Sequence, residues 1–389
     1  MFTVLKDIQQ NNQQENLLIL LSLSIFMPFY YTSIILILFC LYSLYTKQMQ
    51  TVYKEIKGTK WILCFTLLSI LTSAFYKNYI GIGCSIIILA LLSVTLYFGK
   101  YGNQKVLNQI LKIYLWMSII CGLYAIIQYK QILINNNIEG WKFIIFDKPK
   151  DRVTSFFYNA NYYAMMCEFF ALVTVYFFLY EKKDTIINKI LYVFIGVYNL
   201  FFLLMTACRT AWPALGIGVV ILCLLTKDKK YYLLVGTLLT IAIGALIIKP
   251  DLFPRFDNIG PYFSRRLRIF DLAIQNIKKH PLFGEGPLTY YLVHLDYPKP
   301  IKTQHAHNFV LDPLMNYGIV GVSMILPFFY YRAKSVMKMT KDCMSKPLII
   351  SFVLTVMIHG LLDFTVYFVP TGFFFFMVLF SCEYKNQAI

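Results

Sequence analysis

The sequence predicts an all-α integral membrane protein with about 12 transmembrane helices, each needing about 20 apolar residues. Of the 389 residues, 58% are hydrophobic and only 14% are charged, and the mean hydropathy is +0.61. Soluble domains of this length do not need so much apolar surface. Apolar stretches recur along the chain and are separated by short polar segments, so we expect a single membrane domain over residues 1–389.

The predicted spans follow the apolar stretches in chain order. They cover residues 16–27, 29–45, 61–75, 80–98, 106–128, 161–180, 190–207, 210–226, 231–248, 308–331, 348–367 and 371–384. Pro28 separates the first two, so residues 16–45 form either a short hairpin or one long tilted helix. The location of the N-terminus, which we expect in the cytoplasm, depends on that choice.

The distribution of basic residues predicts the orientation. Lys and Arg concentrate in the connections at residues 47–60, 100–105, 182–189, 227–230 and 332–346, whereas the opposite short connections hold only Lys77 and Arg209. Basic residues are retained on the cytoplasmic side of a membrane, so the longer segments 129–160 and 249–307 are expected to face outward. The net charge of +17 therefore reflects topology. Nucleic acid is not an expected partner, because the basic residues are not clustered with exposed aromatic residues.

The large outer segment between the ninth and tenth spans is predicted to contain one amphipathic helix. Its first part, residues 249–263, is rich in Pro and Gly and should be irregular. Ser264 is placed to cap the helix and Pro281 to stop it. The helix lies either on the outer membrane surface or against the helix bundle, and in both cases Arg265 and Arg266 reach the level of the lipid headgroups. One face collects the apolar residues Phe263, Leu267, Phe270, Ile274 and Ile277.

Two histidines and an asparagine, His305, His307 and Asn308, stand at the mouth of the tenth span. A neutral imidazole can accept a proton from a substrate hydroxyl at neutral pH, and Asn308 could orient either the ring or the substrate. The histidines could instead be hydrogen-bonded anchors. An HxH pair can also bind a metal, but no third and fourth ligand follow at fixed spacing, so no metal is predicted.

Further polar residues are expected at the same membrane level. Arg152, Asn159 and Asn161 precede the sixth span, and Arg209 separates the seventh from the eighth. Because Lys and Arg are usually retained on the cytoplasmic side of a membrane, an Arg on the outer side indicates an anionic partner that holds it there. A pyrophosphate headgroup would pair with the planar guanidinium through two hydrogen bonds, and ordinary lipid phosphates are the alternative.

Ionisable residues also occur within the predicted spans. His359 and Asp363 lie one helical turn apart in the eleventh span, and Glu168 lies in the sixth. Ionisable groups at membrane depth usually indicate function, although His359 and Asp363 could simply pair with each other.

Five segments, in this order, resemble the O-antigen ligase and O-antigen polymerase superfamily. They are RVTSFFYNANYYA, CRTAW, Arg266 with Phe270, HPLFGEGP and HAHNFVLDPLMNYGIVG, within residues 150–385. By this resemblance, His307 is similar to the family's essential histidine, and Arg152, Arg209 and Arg266 are similar to its arginines. Cys208 departs from the family, which more often has a small hydroxyl residue there, and this changes a hydrogen bond but not the charge.

The resemblance implies a GT-C type glycosyltransferase of the bacterial cytoplasmic membrane, with its active site on the extracytoplasmic side. It implies a saccharide donor linked to undecaprenyl pyrophosphate and a saccharide acceptor. Membrane lipids, a flippase and chain-length regulator proteins are further implied partners. No cofactor is expected, because fixed guanidinium groups can take the electrostatic role of a divalent cation.

Three functions remain open. A polymerase joins lipid-linked repeat units, and a ligase moves a finished chain to lipid A core or to another acceptor. We favour polymerase, because the outer segment contains no large added domain for a protein acceptor. A transporter or flippase is the alternative of another class, but transporters usually show two related halves, and here the polar residues crowd into the second half at one surface.

Overall fold

The structure is a computed structural model that describes residues 2–146, 148–182, 184–226, 228–248, 259–298, 300–339 and 343–381. These residues form helices and no strand, so the predicted all-α class is confirmed. The α-helices in chain order are α1 (Phe2–Leu23), α2 (Phe29–Tyr45), α3 (Gln48–Glu55), α4 (Thr59–Phe75), α5 (Tyr79–Tyr101), α6 (Gln104–Asn135), α7 (Ala160–Tyr180), α8 (Ile186–Met205), α9 (Ala211–Leu225), α10 (Lys229–Ile248), α11 (Ile259–Lys279), α12 (Thr289–Val293), α13 (Leu311–Lys338), α14 (Ser345–Gly360) and α15 (Val369–Phe380).

Each predicted span overlaps one helix. Among the described residues, five helices (α5, α6, α7, α8 and α13) are long and apolar enough to cross a membrane, and α2 with α3 forms a sixth candidate bent by 88°. Helices α4, α9, α14 and α15 are apolar but shorter. The multi-pass helical class is therefore confirmed, whereas the count of 12 spans stays a prediction.

The N-terminal apolar stretch is two helices, not one. Helix α1 ends at Leu23, a 3-10 turn follows at Ser24–Phe26, and Pro28 precedes α2. Proline has no backbone N–H for the helical hydrogen-bond ladder, which explains the break. The alternative of one long tilted helix over residues 16–45 is therefore wrong.

The eleventh predicted span also ends earlier than expected. Helix α14 stops at Gly360, and a 3-10 turn at Thr365–Tyr367 precedes α15. The carbonyl of Gly360 accepts a hydrogen bond from the backbone N–H of Phe309 at 2.8 Å. In a continuing helix this carbonyl would accept from an N–H one turn further along the same helix. As a result Asp363 lies in a turn beyond α14 and does not share a helix with His359.

Side-chain contacts join connections that are distant in the chain. Asn78, before α5, donates to the carbonyls of Glu285 (3.1 Å) and Pro287 (2.8 Å) in the outer segment. Lys100 at the end of α5 forms an ion pair with Glu55 of α3 at 2.9 Å. Each contact joins two connections that the charge pattern places on the same side of the membrane, and the orientation itself stays a prediction.

Helix α11 begins earlier than predicted, at Ile259. The interpretation of residues 259–263 as irregular is wrong, because Pro261 falls in the first turn, where no helical hydrogen bond is lost. Residues 249–258 lie outside the described residues. Ser264 is therefore not a cap but an interior residue, whose hydroxyl donates to the carbonyl of Gly260 at 3.0 Å. The helix ends at Lys279, ahead of Pro281, as predicted.

The two faces of α11 have different surroundings. Ile269 and Leu272 are buried and pack in one cluster with Met315 of α13. On the predicted apolar stripe, Phe263 and Leu267 remain 51% and 50% exposed. Phe270 and Ile277 of the same stripe pack against the buried cluster. The helix therefore packs against the bundle, as one of the two alternatives predicted, and the position of its exposed residues on the outer membrane surface stays a prediction.

Candidate active site

The carboxylate of Asp363 is the centre of a cluster of charged and polar side chains. Its Oδ1 lies 2.8 Å from Nδ1 of His307 and 3.5 Å from Nε2 of His305. Its Oδ2 lies 3.6 Å from Nη2 of Arg266 and accepts a hydrogen bond from the side-chain amide of Asn161. Asp363 is only 2% exposed. Four distant chain segments therefore meet at one buried carboxylate.

Arg152 joins this cluster through Asn161. Its Nη2 donates to Oδ1 of Asn161 at 2.5 Å, and its Nε donates to the carbonyl of Thr206 at 2.5 Å. Thr206 begins the short turn between α8 and α9, and Arg209 lies in the same turn. The guanidinium of Arg152 thus connects the turn that carries Arg209 to the Asp363 cluster.

The backbone around His307 is held in a specific conformation. His307 has a φ of 54°, in the left-handed region that non-glycine residues rarely adopt. On its N-terminal side, the backbone N–H of Ala306 donates to Oδ1 of Asp312 at 2.8 Å. On its C-terminal side, Phe309 N–H donates to the carbonyl of Gly360. Contacts on both sides therefore fix the imidazole against the turn that carries Asp363.

Both ring nitrogens of His307 have partners. Because Asp363 is a carboxylate, Nδ1 of His307 carries the proton and donates it, which leaves Nε2 as an acceptor. Nε2 lies 2.7 Å from Oγ1 of Thr303, so the threonine hydroxyl is the donor in that contact. Thr303 was not predicted from the sequence, where a lone threonine in a loop carries no distinguishing signal.

A second buried polar group supports the turn between α8 and α9. Nδ1 of His359 lies 2.9 Å from Oε1 of Glu168, and both side chains are fully buried. Nε2 of His359 lies 3.3 Å from Oγ1 of Thr210 and 4.0 Å from Sγ of Cys208. His359 therefore pairs with Glu168 and not with Asp363, and Glu168 is a structural partner that the sequence indicated only weakly.

Burial and charge set the protonation of the cluster. Burial, followed by the neighbouring His307, lowers the pKa of His305 to about 4. Burial also lowers the pKa of His307 below its ordinary 6.5, although the Asp363 carboxylate opposes this shift. Burial alone would raise the pKa of Asp363, but His307 and Arg266 outweigh it and hold that pKa well below its usual range. At neutral pH the cluster therefore contains neutral imidazoles, a carboxylate and guanidinium groups.

The structure supplies a third potential metal ligand that sequence spacing did not reveal. His305, His307 and Asp363 each offer one ligand atom, and these atoms lie within 4.8 Å of one another. The positive charge of Arg266, 3.6 Å from the same carboxylate, would repel a cation placed there. A site without a metal ion therefore stays a prediction, which the charge of Arg266 supports.

Other predicted site residues have structural contacts. Asn159 caps α7, where its side chain accepts from the backbone N–H of Asn161 at 2.8 Å. Asn308 accepts from the N–H of Val310 at 2.9 Å at the start of α13 and donates to a carbonyl after α14, so its amide does not orient the ring of His307. Arg265 is exposed on α11. Substrate contacts for these three residues stay predictions.

Together these features define a multi-pass helical membrane protein with an imidazole, carboxylate and guanidinium cluster at the ends of its helices. Residues 194–326 match the family model described as O-antigen ligase, so the predicted resemblance to the O-antigen ligase and O-antigen polymerase superfamily is confirmed over these residues. The match includes Arg209, Arg266, His305 and His307 and is shorter than the predicted resemblance over residues 150–385. No curated protein matches the chain. Members of this family are glycosyltransferase-like ligases and polymerases. The family match and the apolar helices together indicate a multi-pass bacterial membrane protein.

Proposed function

We propose that this protein transfers a saccharide from an undecaprenyl-pyrophosphate-linked donor to a sugar hydroxyl at the outer face of the cytoplasmic membrane. The observation that carries the proposal is the convergence on Asp363 of His307, Arg266 and, through Asn161, Arg152. A base and anion-binding groups held together suit the displacement of a pyrophosphate by a hydroxyl. The family match supports glycosyl transfer between a lipid-linked oligosaccharide and an acceptor.

His307 is the proposed general base. Asp363 accepts a hydrogen bond from Nδ1–H, so the lone pair of Nε2 is directed away from the carboxylate toward an incoming hydroxyl. The hydroxyl oxygen forms a bond to the anomeric carbon, and its proton passes to Nε2. The imidazolium that results is stabilised by Asp363 at 2.8 Å. His305 is a poorer base, because burial lowers its pKa to about 4.

The arginines are proposed to bind the leaving group. As the bond from the anomeric carbon to the pyrophosphate oxygen breaks, its electron pair remains on the diphosphate, and negative charge grows there. Arg266 is half-buried beside Asp363, and Arg152 lies beyond Asn161, so guanidinium charge is already in place. Arg209 extends from the turn to which Arg152 donates. A single displacement of this kind inverts the anomeric configuration and needs no metal ion.

Polymerisation of repeat units remains the favoured reaction, and ligation is the second candidate. The family description, O-antigen ligase, favours the second. The two reactions differ in their acceptor, because a polymerase uses a second lipid-linked repeat unit and a ligase requires a different molecule.

Reconstitution in proteoliposomes tests both the class and the reaction. The full-length protein is supplied with purified lipid-linked repeat units as the only saccharide. A polymerase produces a ladder of chain lengths from this substrate alone. A ligase yields product only after a second acceptor is added, and the absence of glycosyl transfer under both conditions would refute the proposal.

A matched pair of variants tests the base. His307→Gln removes the basic nitrogen, and we expect product formation to fall about 10²- to 10⁴-fold, which is the usual contribution of a positioned general base. His280→Gln is the control, because His280 also lies in the outer segment but contacts Tyr76 at 3.0 Å and not Asp363. Near-normal product from His307→Gln would exclude His307 as the base.

A further inference from the structure

We infer that the hydroxyl of Thr303 occupies the position that the acceptor hydroxyl takes during transfer, so that Thr303 must be displaced before the reaction. The inference rests on the proposed function and names the acceptor subsite within it. Oγ1 of Thr303 lies 2.7 Å from Nε2 of His307.

The chemistry of this contact matches that of an acceptor. The Thr303 hydroxyl donates a hydrogen bond to Nε2, because Nδ1 of His307 is committed to Asp363. A sugar hydroxyl awaiting deprotonation must donate to the same nitrogen at a similar distance. Nε2 has one lone pair in the ring plane, so it accepts one such bond at a time. Thr303 and the acceptor therefore compete for a single position.

The backbone on the two sides of this contact is held differently. His307 lies between Ala306, which is bonded to Asp312, and Phe309, which is bonded to Gly360. In contrast, within the described part of the chain no backbone-to-backbone hydrogen bond involves residues 302–305. In that described part, the neighbouring residues are held only through side chains, by Tyr290 at the carbonyl of Ile301 and by Tyr162 at Gln304. Rotation of the Thr303 side chain can therefore free Nε2 while the imidazole keeps its position against Asp363.

The location of Thr303 also suits an acceptor that enters from outside the cluster. Thr303 is partly exposed, and its neighbours Lys302 and Gln304 are exposed, whereas Asp363 is buried on the other side of the ring. An acceptor would thus approach Nε2 from the side that Thr303 now covers. The donor pyrophosphate would lie beside the arginines, so the two substrates have separate entries.

The kinetic test uses Thr303→Ala, with Thr303→Ser as the matched control that retains the hydroxyl. The acceptor probe is the delipidated repeat unit, which keeps its terminal sugar hydroxyls, at saturating lipid-linked donor. We expect Thr303→Ala to lower the KM of the acceptor about 2- to 10-fold, the effect of removing one competing neutral hydrogen bond. The kcat should be little changed, and Thr303→Ser should resemble the wild type.

A chemical measurement tests the contact without any transfer reaction. Diethyl pyrocarbonate acylates the free nitrogen of a neutral imidazole, and mass spectrometry of the full-length protein reports the rate at His307. We expect faster acylation of His307 in Thr303→Ala than in the wild type or Thr303→Ser. The acylation rate depends on the contact between Thr303 and His307 and not on glycosyl transfer. It therefore separates a failure of the inference from a failure of the proposed function.

Two results would overturn the inference. One is a Thr303→Ala variant whose acceptor KM and acylation rate both equal those of the wild type. The other is a fall in kcat in Thr303→Ala that Thr303→Ser restores, because Thr303 would then assist the reaction and not compete with it.

Discussion

Replacing Asp363 with Asn tests the centre of the proposed site. The substitution keeps the volume of the side chain and removes its negative charge. Nδ1 of His307, 2.8 Å from the carboxylate, would then face an amide that can donate as well as accept. An amide N–H at this position favours the tautomer of His307 that carries its proton on Nε2, where the proposed base must be unprotonated. Arg266, 3.6 Å away, would also lose its counter-charge.

The expected loss of activity is large. In a catalytic triad, an Asp to Asn replacement that retains the geometry lowers kcat about 10⁴-fold. Asp363 stands in the same relation to His307, so we expect transfer to fall about 10³- to 10⁴-fold, equivalent to about 4 to 5.5 kcal/mol of transition-state stabilisation. The initial rate in proteoliposomes with purified lipid-linked repeat units measures this effect.

The matched control is Asp271→Asn on α11. Asp271 is exposed and accepts from Gln275 at 2.8 Å, so its replacement also removes one carboxylate from the outer segment but leaves the cluster intact. We expect near-normal activity from this variant. If folded Asp363→Asn protein retained a rate within about tenfold of the wild type, the orienting role of the carboxylate and the reasoning from its contacts would be refuted.

Four further predictions concern charge, protonation and support. A chelator should leave transfer unchanged, and loss of activity with EDTA that magnesium restores would contradict the metal-free proposal. Arg266→Gln should lower kcat about 10²- to 10³-fold in the same assay, whereas the exposed Arg268→Gln should not. Because burial lowers the pKa of His307 below 6.5, and the base acts when neutral, the pH–rate profile should fall only as the pH drops below that value; an acid limb above it would oppose the assignment. Glu168→Ala leaves the buried His359 unpaired and should cost about 3 kcal/mol of stability, measured as a lower unfolding temperature in detergent; an unchanged temperature would argue against a supporting role.

The helical class could be predicted from the sequence because the apolar stretches are long and each coincides with a helix. The ends of helices were harder to predict. Ser264 is a good capping residue in isolation, yet α11 starts five residues earlier, at Ile259. Residues 348–367 are apolar enough to form one helix, but the bond from Phe309 to the carbonyl of Gly360 ends α14. The end of α14 depends on a contact between distant segments, which no local pattern contains, whereas α11 starts early because Pro261 is tolerated in its first turn.

The candidate site was predictable in its residue types but not in its connections. His307, Arg152 and Arg266 stand in motifs that resemble a known family, so they could be selected from the sequence. The central position of Asp363 could not, because its partner His307 is 56 residues away in the chain. Similarly, His359 bonds to Glu168 across 191 residues, although Asp363 was the nearer candidate. Spacing along one helix identifies neighbouring side chains on that helix. It gives no information about which side chains of other segments contact them.

The position of Asp363 in the chain bears on how the protein matures. Of the residues that contact it, Asn161, Arg266, His305 and His307 all leave the ribosome before it does. The guanidinium of Arg266 therefore enters the bilayer boundary without this counter-ion and must stay hydrated until the segment after α14 is inserted. The cluster is thus completed at the last steps of biogenesis, and a nascent chain halted within α14 would hold the imidazoles and guanidinium groups without the carboxylate that joins them.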